Sequence, residues 1–510
     1  MVSKALGCGL GWFLGLVPLV SALPEKTNGS PLVGPKPCRL LADAGLGSQL
    51  FFQGDGEYTR TLETYYGGES KDLRPHCILK PETVEQVTTA IKTLNTPQAG
   101  KCWNVAIRAG GHSNFPASNT ASGVTIDLVR LNTLSLNDNG TVSIGSGNRW
   151  GDVYRYLEPR GVMVAGGRES TVGVSGLLLG GGLSWYSGYI GFAVDNAAAF
   201  EVVLADGSVV RAASDENPDL FRALKGGGGN FGLVTKYELR HFPSHNIFGG
   251  ITIFPYAQKD AIMRKFVEMV DGNANGHPDD SGFAAAAWGP ASGKIMSFIV
   301  VNTEGRSNTT AFDGLEDLSP LVDMRADLPV TGIAAQITST SGQYQVWSTL
   351  TYHNTPDMGR KILSSFESVI DDVEPVIDVN EDLRIVYLLT PLPTSSSSYG
   401  DNVLGLDKTH TKSSVIFSVQ AILPSTRYRD LLKRRFDEAV ADIKAYAKET
   451  GQLLPYLYLN YAGPDQDPLA AYGEENIRFM KEVAAKYDPG EFFQYGVQGG
   501  FKLAHLRQTL

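Results

Sequence analysis

Short apolar runs bounded by turn residues, alternating with helical patterns, fill the first half of the chain. Cys77-Ile78-Leu79-Lys80 predicts a strand, and Pro81-Glu82-Thr83-Val84-Glu85-Gln86-Val87 opens a helix, with proline and acids in the first turn where the helix dipole favours them. Val105-Ala106-Ile107-Arg108 predicts a second strand, which breaks at Gly110-Gly111 and presents His112 at its exit. Strands follow at 123–128 and 141–144, joined through the turn Asn137-Asp138-Asn139-Gly140, and residues 150–160 have the spacing of a short amphipathic helix. Residues 202–210 form a hairpin around Asp206-Gly207, residues 221–225 end a helix, and residues 231–239 predict a strand.

From about Phe248 the texture changes. Glycine clusters thin out, residues 295–301 and 415–420 predict strands, and residues 360–370 and 427–448 predict helices. Pro391-Leu392-Pro393-Thr394 and the serine run 395–398 predict a surface loop. Such alternation suits an α+β unit on an antiparallel sheet. The end of the chain returns to the earlier style, with Tyr456-Leu457-Tyr458-Leu459-Asn460-Tyr461 read as a strand, a polar loop, and a helix over 474–486 that Tyr487-Asp488-Pro489 stops.

Composition narrows the class. A chain of 510 residues, 42% hydrophobic and 19% charged, has the make-up of a globular protein with room for two or three cores. A net charge of −10 with no basic cluster excludes nucleic acid and an anionic membrane as expected partners. At the N-terminus, Lys4 precedes an apolar run from Ala5 to Val20, and Val20-Ser21-Ala22 has the small residues of a cleavage site. This predicts a signal peptide over 1–22 and a secreted chain from Leu23. Asn28, Asn139 and Asn308 head glycosylation sequons in polar contexts that fit export. Without the signal, Cys38, Cys77 and Cys102 remain; Cys77 sits in an apolar run and reads as a small buried hydrophobe, so Cys38–Cys102 is the expected disulfide. No Cys or His spacing suggests a metal site.

Glycine, at 57 residues, is the informative excess, and it concentrates between residues 110 and 250. Two adjacent glycines let backbone N–H groups approach an anion unobstructed, so Ala109-Gly110-Gly111-His112-Ser113-Asn114 reads as a ligand loop. Ser113 and Asn114 would add side-chain hydrogen bonds, and Arg108 positive charge. Gly167, Gly173, Gly176 and Gly180-Gly181-Gly182 make a second stretch with little packing capacity of its own. Gly227, Gly229 and Gly232 satisfy G-x-G-x-x-G, but the strand-then-helix order of a Rossmann site is reversed around them, which excludes that reading.

Together these pieces resemble the flavin-dependent oxidases of the vanillyl-alcohol oxidase superfamily, with a PCMH-type FAD-binding domain, and within it the berberine-bridge-enzyme-like group in a secreted, fungal-looking form. The carriers are Arg108-Ala109-Gly110-Gly111-His112-Ser113, Thr171-Val172-Gly173-Val174-Ser175-Gly176 with the glycine triplet, the 203–207 hairpin, residues 226–234, Asn460-Tyr461 and Tyr487-Asp488-Pro489. The resemblance implies an α+β fold with an N-terminal segment over 23–70, the FAD-binding domain over 71–246, a substrate domain on an antiparallel sheet over 247–450, and a C-terminal segment over 451–510 that completes the FAD domain.

It further implies that His112 bonds covalently to the flavin 8α carbon, which would raise the flavin potential. Other cofactor contacts implied are Arg108, Ala109, Gly110, Gly111, Ser113, Asn114, Gly167, Val172, Gly173, Ser175, Gly176, Gly180, Gly181, Gly182, Gly191, Asn196 and Asn460, with Gly232, Leu233 and Val234 near the adenine. Val172 matches a position that lines oxygen access. Many members carry a second link through cysteine, and here Glu169 stands at that position, so a single bond is expected and with it a smaller, secondary-metabolite substrate. Tyr461 is the candidate catalytic base or proton relay and Tyr458 a substrate contact beside it in the catalytic site, with Gln420 and Tyr387 as further substrate contacts. The 384–389 strand lacks the carboxylate that some relatives place there.

The expected activity is that of an FAD oxidase acting as a monomer, passing a hydride from a small molecule to flavin N5 and returning electrons to O2 as H2O2. The alternatives are a carbohydrate oxidase and a flavoprotein with a non-redox cyclase or binding role.

Overall fold

A computed structural model describes residues 35–96, 103–393, 401–406 and 412–506. The expected signal peptide, Asn28 and Cys102 lie outside the described residues.

The fold is α+β, with a four-stranded sheet, a five-stranded sheet and a two-stranded pairing of Val162–Met163 with Phe242–Pro243 in the glycine-rich half, and one large sheet beyond it. In the first sheet the order is Leu50–Phe51, Cys77–Leu79, Gly123–Asp127, Asn104–Arg108, and the last three strands run parallel. The Val84–Leu94 helix carries the chain from Cys77–Leu79 to Asn104–Arg108, with Gly123–Asp127 seated between those two strands, and it is capped by the Thr83 hydroxyl accepting from the Gln86 N–H. Its apolar stripe, Val87, Ala90, Ile91 and Leu94, packs on Leu79, Val105, Val124 and Ile126. The second sheet is antiparallel, ordered Leu134–Leu136, Thr141–Gly145, Leu233–Arg240, Ala197–Val203, Val209–Ala213, with the predicted Asp206-Gly207 turn between the last two.

The large sheet has nine antiparallel strands. Its long members are ordered Ile247–Pro255, Gly293–Asn302, Asp280–Gly289, Arg384–Leu392, Ser414–Leu423, Tyr344–His353. The helices Lys259–Ala274, Pro356–Val373 and Arg429–Glu449 cover one face, burying Phe266, Ile362, Phe366 and Phe436 against Phe298, Ile385, Tyr387 and Phe417. The other face carries Ile299, Val301 and Ile416 into a core shared with Val142, Trp150, Phe200 and Tyr237 of the glycine-rich half. Tyr456, Tyr458, Tyr472 and Met480 from the C-terminal segment join that same core, and Val497 bridges to Val105.

Three expectations are corrected. The disulfide joins Cys38 to Cys77, with Cα atoms 6.2 Å apart, and not Cys38 to Cys102. The apolar run around Cys77 is a buried strand, and burial is where a disulfide between a strand and a flanking helix also belongs. Residues 456–461 are not a strand: pairing ends at Leu453–Leu454, and Leu459–Tyr461 is a single 3-10 turn. The glycine-dense stretch does pack, because Val174–Leu179 is a short helix whose Val174 and Leu178 enter the shared core with Leu183 and Trp185. Among the described residues no helix is long and apolar enough to cross a membrane.

Candidate active site

The site begins at the end of the Asn104–Arg108 strand. Arg108 pairs in register with Asp127, and the two form an ion pair of 2.9 Å that is almost wholly buried. Its guanidinium also donates to Thr64 Oγ1 at 2.7 Å and lies over the Tyr65 ring. Burial works against the Arg108 charge, and Asp127 together with Tyr65 more than restores it. The positive charge expected to serve a ligand is therefore committed to Asp127, and Arg108 anchors the root of the loop.

Beyond it the backbone makes a crossing that only glycine permits. A Cβ on Gly110 would lie 2.5 Å from the Cα of Gly173, and one on Gly173 would lie 2.6 Å from Gly110. Gly111 then turns with φ of +66°, the left-handed region that favours glycine. Arg149 binds both sides of the crossing, donating to the carbonyls of Gly110 (2.8 Å) and Thr171. The crossing fixes Gly110-Gly111-His112 against Glu169-Ser170-Thr171.

His112 stacks flat on Tyr66, with ring centroids 4.2 Å apart. Its Nε2 lies 3.2 Å from Thr171 Oγ1 and 3.4 Å from a Glu169 carboxylate oxygen. Burial pushes the Glu169 carboxyl up, but hydrogen bonds and charge from His112, with those from Thr171 and Ser339, bring it below its ordinary value. Tyr66 donates to Gln345 Oε1 at 3.3 Å, and the same oxygen accepts from Trp347 Nε1 at 2.9 Å. The large sheet thus reaches the histidine loop through side chains.

Tyr461 lies where the two halves meet. Arg168 Nη2 donates to its hydroxyl oxygen at 2.8 Å, and its ring meets those of Trp347 and Tyr458 at 5.6 and 4.9 Å. Gln420 pairs in register with Trp347, so both project from the face that meets the glycine-rich half. Arg168 also lies over the Phe283 ring, and with Thr390, Ser281 and Ser184 it lines a cleft between the halves. Tyr458 is buried, its oxygen accepting from Asn460 Nδ2 at 3.0 Å, and desolvation raises its hydroxyl far above the ordinary range. Tyr387 is turned the other way. It packs between Phe366 and Phe417 beneath the Pro356–Val373 helix, fully buried, so the expectation of a substrate contact there is overturned by strand parity.

Several other expected residues hold backbone in place. Asn114 donates to the Ala462 carbonyl and Asn460 to that of Leu177, tying both loops to the C-terminal segment. A Cβ on Gly180 would strike Asn460 Oδ1 at 2.1 Å, and one on Gly167 would strike the Trp150 ring. Ser175 donates to the Ser146 carbonyl and Asn196 to that of Arg240, while Gly181, Gly182 and Gly191 all adopt positive φ. Gly176 is exposed, and Leu233 and Val234 are buried strand residues paired with Val203 and Val202. Sequence reasoning missed Arg168, Tyr66, Arg149 and Trp347. A charged residue inside an otherwise small and apolar glycine-rich stretch was the available signal for Arg168.

A model of the FAD binding domain matches residues 75–213. FAD-dependent monooxygenase drtC of Aspergillus calidoustus is 33% identical over 96% of this chain and 96% of its own length. The chain belongs to the family of FAD-linked oxidoreductases that this relative represents. Within that family, bifunctional solanapyrone synthase of Alternaria solani is 30% identical over 91% of this chain and 88% of its own. Berberine bridge enzyme from Eschscholzia californica shares the fold at a TM-score of 0.71, covering 92% of this chain and 100% of that one at 17% identity.

The family's cofactor fits the residues present. Among the described residues, no backbone N–H from Gly110 to Asn114 has an acceptor on the protein, although Gly110, Gly111 and Asn114 are buried. Buried, unpaired N–H groups call for an external acceptor, and FAD brings a pyrophosphate and a ring edged with carbonyl oxygens.

Proposed function

We propose that this protein is a secreted FAD oxidase that carries its flavin on a single covalent bond from His112 and dehydrogenates a small secondary-metabolite alcohol or amine, releasing H2O2. In this reading residues 71–246 and 451–510 bind FAD, residues 247–450 shape the substrate site, and the glycans sit on Asn28, Asn139 and Asn308. The reading is supported most by the Arg168–Tyr461 hydrogen bond at the junction of the two halves.

Bound FAD supplies the hydride acceptor. Tyr461 takes the proton from the substrate O–H or N–H, and the Arg168 guanidinium stabilises the charge that develops on the tyrosine oxygen. Tyr458 is poorly suited to that task, because its buried hydroxyl resists ionisation. Gln420 and Trp347 face the substrate from the large sheet, and the aromatic wall keeps the site dry.

A second reading is favoured by one observation: drtC and other relatives are named monooxygenases. The two are separated by turnover under 18O2 of any compound that bleaches the flavin anaerobically. The oxidase reading predicts one H2O2 per product and no label in the product; label in the product at the expense of H2O2 contradicts it. Tyr461→Phe should slow anaerobic bleaching by about 10²–10⁴-fold, the usual range for loss of an acid-base group.

A further inference from the structure

The Glu169 carboxylate is turned onto His112. One oxygen accepts from the Thr171 hydroxyl and from the Ser339 N–H at 3.0 Å and lies 3.4 Å from His112 Nε2; the other accepts from the Ser339 hydroxyl at 3.1 Å. Thr171 has one hydroxyl proton, and it goes to Glu169. His112 Nε2, at 3.2 Å from the threonine oxygen, therefore faces two acceptors and must itself carry a proton. A neutral imidazole with its proton on Nε2 has its lone pair on Nδ1, and no described residue bonds to His112 Nδ1. The flat stack on Tyr66 fixes the plane of the ring, and Glu169 with Thr171 fixes its rotation within that plane.

We propose that Glu169 is a positioning residue for formation of the flavin bond: it holds the proton on His112 Nε2, frees Nδ1 as the nucleophile, and neutralises the positive charge the ring gains when Nδ1 is alkylated. The inference rests on the reading of His112 as the attachment site. In the step, the Nδ1 lone pair forms the C–N bond to the flavin 8α carbon as one C–H bond of that carbon breaks; the proton and electron pair released reduce the flavin, and the ring keeps its Nε2 proton as an imidazolium opposite Glu169. O2 then takes the two electrons, with that proton and one from solvent, and leaves as H2O2. Glu169 is acceptor-only when ionised, and the hydrogen bonds it accepts from Thr171 and Ser339 favour that form. The arrangement follows the logic of a carboxylate that orients a histidine without itself taking the proton.

The experiment uses the full chain incubated with excess FAD, measuring total bound flavin by absorbance and covalent flavin as colour that stays with the acid-precipitated polypeptide. Glu169→Gln should keep total flavin and lower the rate of covalent attachment at least tenfold, with partial rescue in Glu169→Asp. Ser339→Ala, which removes a contact on the far side of the carboxylate, should attach flavin at the wild-type rate. Wild-type attachment in Glu169→Gln overturns the proposal, as does an equal fall in Ser339→Ala, which would mean that Glu169 acts only by holding the neighbouring segment. If Glu169→Gln binds no flavin, Thr171→Val decides: severalfold slower attachment supports the proposal and an unchanged rate overturns it. Covalent flavin surviving in His112→Ala refutes the attachment site itself, a failure distinct from the others.

Discussion

The glycine-rich half and the nine-stranded sheet meet in one core but are constrained by different things. In the glycine-rich half the constraint is backbone, because Gly110 and Gly173 pass so close that no other residue fits at either position. In the sheet the constraint is which way a strand faces. Tyr387 and Gln420 lie on adjacent strands, and one is sealed under helices while the other faces the site. The first kind of constraint is recorded in residue type. The second is recorded in parity, and parity is silent when both faces of a sheet are covered: nine of ten positions in Ser414–Leu423 are buried.

The largest effect expected is in the glycine-rich half. Arg108→Met leaves Asp127 buried without its partner and should lower stability by about 3–5 kcal/mol, read by urea denaturation. Pairing it with Asp127→Leu should recover much of that loss, since the cost lies in the orphaned charge. Gly173→Ala comes next, at about 1–3 kcal/mol, because backbone and not a flexible side chain must move; it should also weaken flavin retention, and a variant that folds and keeps its flavin would break the contrast drawn here. The smallest effects separate the faces of the sheet. Tyr387→Phe should cost no more than about 1 kcal/mol and leave KM unchanged, since it removes one long contact to Ser365. Gln420→Leu should instead shift KM severalfold with little change in melting temperature.

The same contrast explains how much was legible in the chain. The strand feeding the Gly-Gly turn, the crossover helix, the hairpin at Asp206-Gly207 and the helices Pro356–Val373 and Arg429–Glu449 were visible, because period and turn chemistry act locally, while Lys259–Ala274 was missed. His112 was visible because glycines flank it. Arg108 was assigned to a ligand because a sequence does not show that Asp127 will arrive beside it, nineteen residues on in a parallel neighbour. Arg168 and Tyr461 are 293 residues apart, and no spacing rule joins them. The disulfide failed for a related reason: a cysteine in an apolar run can be a small hydrophobe or half of a buried bridge, and only the position of Cys38 decides. Tyr458 and Tyr461 are brought together by a 3-10 turn, where three residues make one turn, and not by strand alternation.

The most direct measurement is peptide mass mapping of the purified protein after acid precipitation. The account predicts one flavin per chain, retained by the denatured polypeptide and carried on the peptide that contains His112. Flavin released by acid, or found on a different peptide, would contradict it.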